Sequence, residues 1–224
     1  MSNTVTANPP PGNIAVIGTT SPKLSLHSRI KAKSSQPTMK KSGESCNRTP
    51  KDVLQSMLAN VKGDCHRPKK FERPPEEDIA AYDVESVQAI RSNNLEKLRQ
   101  MWLNGKRFDA CNPSGESLIH MACRRGDLKV VSFLVCEVKV RTERCDDFGR
   151  NPFHDALWTS SPNMDVLDLL IDHADPTMLL AEDVRGSTPF DYARREHHAK
   201  WVEYLEQRKE KLQKHPKLAP IAES

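Results

Sequence analysis

An internal repeat constrains the fold of this chain more than any other feature. Three glycines, Gly115, Gly149 and Gly186, stand at the same place in the stretches SGESLIHMA, FGRNPFHDA and RGSTPFDYA and lie 34 and 37 residues apart. A fixed period of roughly 20–50 residues is typical of solenoids, whose units bury their apolar faces only against neighbouring units. We therefore expect a stack of similar units along the second half of the chain.

Each stretch has the residue order expected where a turn leads into a helix. Ser117, Asn151 and Thr188 are N-cap residue types, whose side chains accept hydrogen bonds from the first free backbone N–H groups of a helix. Pro152 and Pro189 follow at the first helical position, which proline favours. The glycine before each cap permits the positive φ of a tight turn. Every stretch therefore predicts a turn followed by a helix.

A second helix is predicted after each stretch. Apolar residues fall on one helical face over residues 128–135, 166–171 and 201–205. Upstream, residues 89–112 correspond to the back half of the same unit, so we expect four units, the first of them degenerate. The third unit has about three extra residues around 160–162, which predicts a longer loop between its helices.

This period and pattern resemble the ankyrin repeat, whose unit of about 33 residues opens its first helix with T-P-L-H-x-A. The resemblance extends from roughly Asp83 to Leu212. It implies an all-α solenoid of helix-turn-helix units with β-turn or hairpin tips. It also implies that His120 and His154 hydrogen-bond between neighbouring turns and have no catalytic role. The fourth unit departs from the signature, because Asp191 stands at the histidine position.

Charge and proline content divide the chain near residue 75. Residues 1–75 carry 13 Lys or Arg against 4 Asp or Glu, together with 9 of the 16 prolines. Such a composition cannot bury enough apolar surface to offset the entropy lost on ordering. We expect a disordered basic N-terminal tail over residues 1–75, an ankyrin-repeat domain over 76–214 and a C-terminal tail over 215–224. Trp201 and Tyr204 are expected to close the core of the last unit.

One part of the tail has a helical pattern. Thr49 followed by Pro50 predicts the start of a short amphipathic helix near residues 50–62, and Gly63 predicts its end. Its apolar face consists of Val53, Leu54, Met57, Leu58 and Val61. Two interpretations remain open: the helix docks in the groove of a partner, or it packs back on the repeats.

The resemblance also predicts where a partner would bind. In ankyrin proteins a partner usually lies in the concave groove made by the turn tips and the first helices. The corresponding positions in this chain are Pro113, Ser114, Glu116, Arg124, Arg125, Asp147, Phe148, Arg150, Trp158, Thr159, Val184, Arg185 and Ser187.

Aromatic and arginine side chains dominate interface energetics. We therefore expect this protein-binding site to centre on Trp158 and Phe148 with Arg124 and Arg150, and to bind a segment that has acidic and apolar residues. The alternative is that the tryptophan covers the inserted loop of the third unit, while the arginines pair with the acidic residues at positions 147 and 183.

No catalytic or metal-binding motif is present in the sequence. It lacks G-x-S-x-G, a P-loop, H-E-x-x-H and paired C-x-x-C. The spacings of Cys111, Cys123, Cys136 and Cys145 do not match a zinc site. We predict a non-catalytic scaffold or adaptor that binds another protein, acts as a monomer, and uses no cofactor and no metal.

A second interpretation concerns the basic tail. Basic clusters at residues 40–41 and 66–73 suggest a nuclear regulatory protein whose tail contacts nucleic acid or a transcription factor, but the acidic repeat region disfavours nucleic acid. No apolar run reaches the roughly 18 residues of a membrane span, and the first residues lack the basic region of a secretory leader. We expect an intracellular protein, cytoplasmic with a nuclear alternative, whose 6 cysteines are thiols.

Overall fold

A computed structural model gives the fold and describes residues 48–58 and 71–218. These residues form α-helices and 3₁₀ helices joined by tight turns. The α-helices are α1 Pro50–Met57, α2 Glu76–Ala81, α3 Val84–Arg91, α4 Leu95–Leu103, α5 Leu118–Arg125, α6 Leu128–Ser132, α7 Pro152–Leu157, α8 Met164–His173, α9 His198–Gln207 and α10 Lys209–Lys214. Helix α6 continues through a π-helical turn over Phe133–Val138, and 3₁₀ helices span Pro176–Leu179, Pro189–Tyr192 and Arg195–His197.

The helices stack in two layers, as the ankyrin resemblance implies. In the first layer α3 packs on α5, α5 on α7, and α7 on the 3₁₀ helix Pro189–Tyr192. In the second layer α6 packs on α8. The first unit is therefore α3–α4, the second α5–α6, the third α7–α8, and the fourth the Pro189–Tyr192 helix with α9. One continuous apolar core runs through all of them. The predicted all-α solenoid is confirmed.

The predicted turn tips separate the units. In each tip the backbone N–H of residue 112, 146 or 183 donates to the carbonyl four residues later, and the enclosed glycine has a φ of 82°, 78° or 76°. Adjacent tips are joined as well: Asp147 N donates to the Ser114 carbonyl at 2.8 Å, and Val184 N to the Phe148 carbonyl at 2.9 Å. The tips therefore form a hydrogen-bonded ladder along one edge of the solenoid.

The third unit contains the predicted longer loop. Residues 158–163 connect α7 to α8, whereas only Gly126 and Asp127 connect α5 to α6. The Asn163 side-chain amide donates to the Gly126 carbonyl at 2.5 Å, and the Ser160 carbonyl lies 3.0 Å from the ring of His197. The inserted loop is thereby fixed to the units on both sides.

The first helix of the fourth unit is reduced to one 3₁₀ turn. The carboxylate of Asp191 folds back on the cap and accepts from Thr188 N at 2.7 Å and from its hydroxyl at 3.0 Å. The Tyr192 hydroxyl donates to Asp183 at 2.6 Å, and Ala193 has an extended backbone. Since no further tip follows within the described residues, a histidine here would have no tip carbonyl to reach.

Helix α1 packs on the repeats, which is the second of the two interpretations left open by the sequence. It lies against the Pro189–Tyr192 helix and α9 and buries Val53, Leu54 and Leu58. Thr49 caps it, as predicted. The helix ends at Met57, before the predicted end near residue 62, and the expected end signal at residue 63 lies outside the described residues.

The packed region extends past the predicted domain limits of 76 and 214. Leu218 is buried and Pro74 is buried, while the Phe71 ring lies beside the second-unit tip. The helix predicted after residue 197 is interrupted at Arg208, whose guanidinium binds Asp168 of α8. The rest of the predicted basic tail, at residues 1–47 and 59–70, and residues 219–224 lie outside the described residues.

Candidate functional site

Aromatic and arginine side chains of the last two units meet in a groove of about 480 Å³. We call it the aromatic groove, and it is lined by Phe148, Arg150, Trp158, Arg185, Ser187, Asp191 and Tyr192. The structure thus brings together five of the residues that the sequence predicted for a binding site. Asp191 and Tyr192 were not predicted.

Guanidinium groups alternate with aromatic rings across this groove. The Arg124 Cζ atom lies 5.6 Å from the centre of the Trp158 ring, and Arg150 lies 5.9 Å from that ring and 5.1 Å from the Phe148 ring. The Arg185 Cζ atom lies 5.9 Å from the centre of the Phe148 ring, on which Arg150 also stacks. Cation–π contacts of this kind hold both rings in place. The rings are nevertheless 47% and 44% exposed, so they present fixed apolar surface to a ligand.

Tyr192 supplies a third aromatic wall. Its ring meets the Trp158 ring edge-on at 6.0 Å and the His154 ring at 5.1 Å. Burial and the hydrogen bond to Asp183 raise the pKa of its hydroxyl. The register of Tyr192 gave no signal of this role, because the aligned residues of the second and third units, at positions 121 and 155, are buried and do not line the groove.

Arg124 is neutralised within the protein. Its guanidinium contacts Glu116 and Asp155, each at 2.7 Å. Asp155 is 1% exposed, and burial raises the pKa of its carboxyl even though Arg124 donates to it. The main role of Arg124 is therefore to join α5 to α7 and to support the Trp158 ring.

Arg150 is neutralised as well. Its Nε donates to Asp146 at 2.7 Å, and the same carboxylate accepts from two backbone N–H groups of the tip. The alternative pairing of the arginines with Asp147 and Asp183 is wrong. Asp147 is exposed on the tip, and Asp183 is already engaged by Tyr192 and by backbone N–H groups of its own tip.

Arg185 differs from Arg150, which also lines the groove, and from Arg124, which supports the Trp158 ring from outside the lining. It is exposed, it stacks on Phe148, and it forms no ion pair with any residue of the described chain. An uncompensated guanidinium beside two half-exposed rings can bind a carboxylate or phosphate with two parallel hydrogen bonds. Among the groove residues that the structure describes, the uncompensated guanidinium is therefore that of Arg185, which belongs to the predicted set, although the site was expected to centre on Arg124 and Arg150.

The remaining predicted residues lie outside the groove. Arg125 turns toward the first unit and donates to the Arg91 carbonyl at 2.8 Å. Thr159 is buried, and its hydroxyl donates to the Ser161 carbonyl at 2.7 Å, so it presents no surface to a partner. Residues on the tips or supporting them are Pro113, Ser114, Glu116, Asp147 and Val184.

The two signature histidines position the tips that border the groove. The Nε2 atom of His120 lies 3.0 Å from the Arg150 carbonyl, and that of His154 lies 3.2 Å from the Ser187 carbonyl. Each Nδ1 accepts from the backbone N–H of its own cap, so Nε2 carries the proton. Burial lowers the pKa of both rings, that of His154 to about 4. The structural role implied for these histidines is confirmed.

Residues 87–178 match the family model described as ankyrin repeats (3 copies). These residues form an ankyrin-repeat array. The match ends before the Gly186 tip, and the fourth ankyrin unit is recognised from its tip and its packing on α7. A search of curated proteins found no match to the chain. Ankyrin repeats generally mediate protein–protein interaction, and the family is typically not enzymatic.

Residues 48–58 and 71–218 give no support for two other kinds of site, a membrane span and a metal centre. No helix there combines the length and apolar character that crossing a bilayer requires. No group of three or more His, Cys, Asp or Glu side chains is placed to hold a metal ion in this part of the chain. Cys111 and Cys123 are buried, and burial raises the pKa of both thiols.

Proposed function

We propose that this protein is a non-catalytic scaffold or adaptor that binds a segment of a partner protein in the aromatic groove. The observation that supports this most is the pair of half-exposed rings of Trp158 and Phe148, held by guanidinium groups that ion pairs already fix. Rigid aromatic anchors lose little entropy on binding and are enriched among residues that dominate binding energy.

The partner segment proposed for this groove carries an apolar or aromatic residue next to an acidic one. The apolar side chain packs on the exposed surfaces of the Trp158 and Phe148 rings, and the acidic group pairs with Arg185. Arg124 and Arg150 contribute by orienting the rings, since their own charges are balanced by carboxylates of the chain. Acidic recognition thus depends mainly on Arg185.

The test is selection of peptides from a displayed library of natural protein segments on the immobilised full chain. Trp158→Ala and Arg185→Glu should each reduce binding of the selected peptides at least about tenfold, which corresponds to roughly 1.4 kcal/mol. Matched controls are Trp102→Ala, which removes an indole that is 38% exposed outside the groove, and Arg195→Glu, which reverses an exposed arginine on the last unit.

Selected peptides that bind both groove variants as tightly as the original chain would show that the site lies elsewhere. Circular dichroism of each variant establishes that the helices are intact. The second function considered, nucleic-acid contact by the basic tail, depends on residues outside the described ones, and no observation in the structure favours it.

A further inference from the structure

In each of the last three units, the side chain at the signature histidine position makes a polar contact with the next element of the stack. In the second and third units, His120 and His154 reach the carbonyl of the next tip. In the fourth unit Asp191 stands at that position, and its carboxylate lies 2.6 Å from the Nζ atom of Lys51 in α1. Helix α1 thus occupies the place of the next repeat in this interaction.

The apolar packing of α1 follows the same principle. It contacts both the Pro189–Tyr192 helix and α9, the two helices of the fourth unit, as the helices of a following repeat would. Val53, Leu54 and Leu58 are 3%, 2% and 5% exposed. Each unit of a solenoid has an apolar face that only a neighbour covers, so the last face needs a cap.

Both ends of α1 are satisfied in this position. The Thr49 side chain accepts from Asp52 N at 3.2 Å, and Thr49 N donates to the Asp52 carboxylate at 2.9 Å, which completes a capping box. At the other end the Gln213 side-chain amide donates to the Met57 carbonyl at 3.1 Å. This hydrogen bond from Gln213 of α10 fixes the orientation of α1 on the repeats.

The contact with α1 also reaches the aromatic groove. Asp191 lines the groove and pairs with Lys51, and the adjacent Tyr192 forms its third aromatic wall. This wall consists of a single 3₁₀ turn, which makes fewer repeating hydrogen bonds than an α-helix. Lys51 of α1 contacts this turn from outside the repeats, through its ion pair with Asp191.

We propose that the end of the fourth unit is a helix-binding surface whose occupant is α1 of the same chain, and that its occupancy fixes the Asp191–Tyr192 wall of the aromatic groove. Helix α1 replaces a fifth repeat. The capping role is independent of partner binding, whereas regulation of binding rests on the proposed function. By linkage, a ligand that favours the ordered wall favours docked α1 to the same degree.

The test compares two aspartate substitutions in α1 of the full chain. Leu54→Asp places a charge in the buried face, and Gln55→Asp places the same charge on the exposed face. Hydrogen exchange of residues 186–207 should become at least about tenfold faster in Leu54→Asp than in Gln55→Asp, with smaller changes in residues 95–125. Equal exchange of residues 186–207 in the two variants would overturn the proposal.

Two further measurements keep the proposal testable if Leu54→Asp folds poorly. Lys51→Ala removes only the ion pair and should speed exchange at residues 188–192, and unchanged exchange there would refute the link between α1 and the groove wall. A synthetic peptide of residues 48–58, RTPKDVLQSML, should slow exchange of residues 186–207 in Leu54→Asp, and failure to do so contradicts a separable helix-binding surface.

Hydrogen exchange needs no partner, so these results do not depend on the proposed function. Once groove-binding peptides are known, Leu54→Asp should weaken them relative to Gln55→Asp. If exchange responds as expected and no peptide ever binds the groove, the proposed function fails and the capping role stands. If peptides bind the groove and exchange does not respond, the proposed function stands and the capping role fails.

Discussion

His120 and His154 couple neighbouring units through one side chain each. A neutral imidazole can accept at Nδ1 and donate at Nε2, so it bridges its own helix cap and the carbonyl of the next tip. A protonated ring has two donors and cannot accept from the cap N–H. Protonation therefore removes the hydrogen bond to the cap of the same unit, whereas Nε2–H can still donate to the next tip.

Acid should weaken the fold before carboxylates titrate. Burial lowers the pKa of His154 from 6.5 to about 4, so protonation favours the unfolded chain. The contribution of His154 to the free energy of unfolding is fully present above the pKa of the unfolded chain, and it is lost as the pH drops from about 6.5 toward 4. One such group contributes a loss of about 2 kcal/mol at pH 5, since a pKa unit corresponds to about 1.4 kcal/mol. Urea unfolding at pH 7 and pH 5 measures it.

The control for this prediction is His154→Asn, which has no titratable ring at this position. The variant should be less stable at pH 7, because the bridge to the Ser187 carbonyl is altered, but it should lose less stability between pH 7 and pH 5. Carboxylates, including buried Asp155, titrate in both proteins, so their contribution largely cancels. An identical loss in the two proteins would contradict the assignment.

The residue-level chemistry of the site was only partly predictable from sequence. The glycine register placed Phe148 and Arg185 on the tips, and the ankyrin resemblance placed Trp158 at the end of the first helix of its unit. The ion pair between Arg124 and Asp155 joins residues 31 positions apart, and it forms only because α5 and α7 stack. Sequence spacing does not show that such an arginine is already neutralised.

At the level of elements, the turn tips determine how closely the units approach. A Cβ atom built on Gly115 would lie 2.9 Å from the Cys145 carbonyl oxygen and 3.0 Å from the Phe71 ring. Gly105 has a similar φ, +84° against +82°, but a Cβ there would have nothing within 4 Å. The two glycines share a positive φ, which would strain any other residue, but only Gly115 has neighbouring atoms close to the Cβ position.

This pair gives a matched experiment. Gly105→Ala should lower the free energy of unfolding by about 1–2 kcal/mol, the cost of a left-handed backbone for an L-residue. Gly115→Ala should cost about 1–3 kcal/mol more, because backbone and ring must shift to admit the methyl group. Chemical denaturation of both variants measures the difference. Equal destabilisation would mean that the tips tolerate a wider separation.

The second layer of helices provides much of the apolar core. Leu134 and Leu170 are both 0% exposed, in the π-helical turn after α6 and in α8. Replacing either with alanine should lower the free energy of unfolding by about 2–5 kcal/mol, the range for buried leucines. Leu103→Ala, at a site that is 78% exposed, is the control and should change it by less than about 0.5 kcal/mol. Similar losses at all sites would be inconsistent with the stacked core.

Elements built from local signals were predicted well, and those that depend on distant partners were not. Thr49, Asn151 and Thr188 cap helices as their residue types indicate. The apolar face of α1 showed that something covers it, but the pattern could not identify the surface. At the end of the 3₁₀ turn Pro189–Tyr192, the Tyr192 hydroxyl donates to Asp183, a contact that depends on the folded tip.

On the scale of the whole molecule, a buried carboxylate joins three segments of the chain: α2, the segment after α4 and the segment after the π-helical turn. Asp78 of α2 is 0% exposed and contacts Arg107 at 2.8 Å, Arg141 at 2.6 Å and Arg144 at 2.5 Å. Burial acts to raise the pKa of Asp78, but hydrogen bonds from Arg144 and Arg141 outweigh it, and the net pKa is lowered. The carboxylate therefore stays ionised and balances the surrounding guanidinium groups.

Asp78→Asn keeps the shape and removes the charge. We expect it to lower the free energy of unfolding by about 2–4 kcal/mol, toward the lower end for a broken buried ion pair because two of the three arginines are half exposed. Glu77→Gln, which weakens only an exposed contact with Arg107, should change it by less than about 0.5 kcal/mol. Thermal and urea unfolding compare them, and equal effects would show that Asp78 does not join these segments.

The fourth unit sets a limit on how this array could lengthen in evolution or by engineering. A duplicated copy of the third unit inserted in the middle would bring its own histidine and its own tip, and both new junctions would resemble existing ones. A copy added after the fourth unit would meet Asp191 where a histidine is needed and would compete with α1 for the same face. Repeats can therefore be added inside the array, but not after the fourth unit, whose outer face is covered by α1.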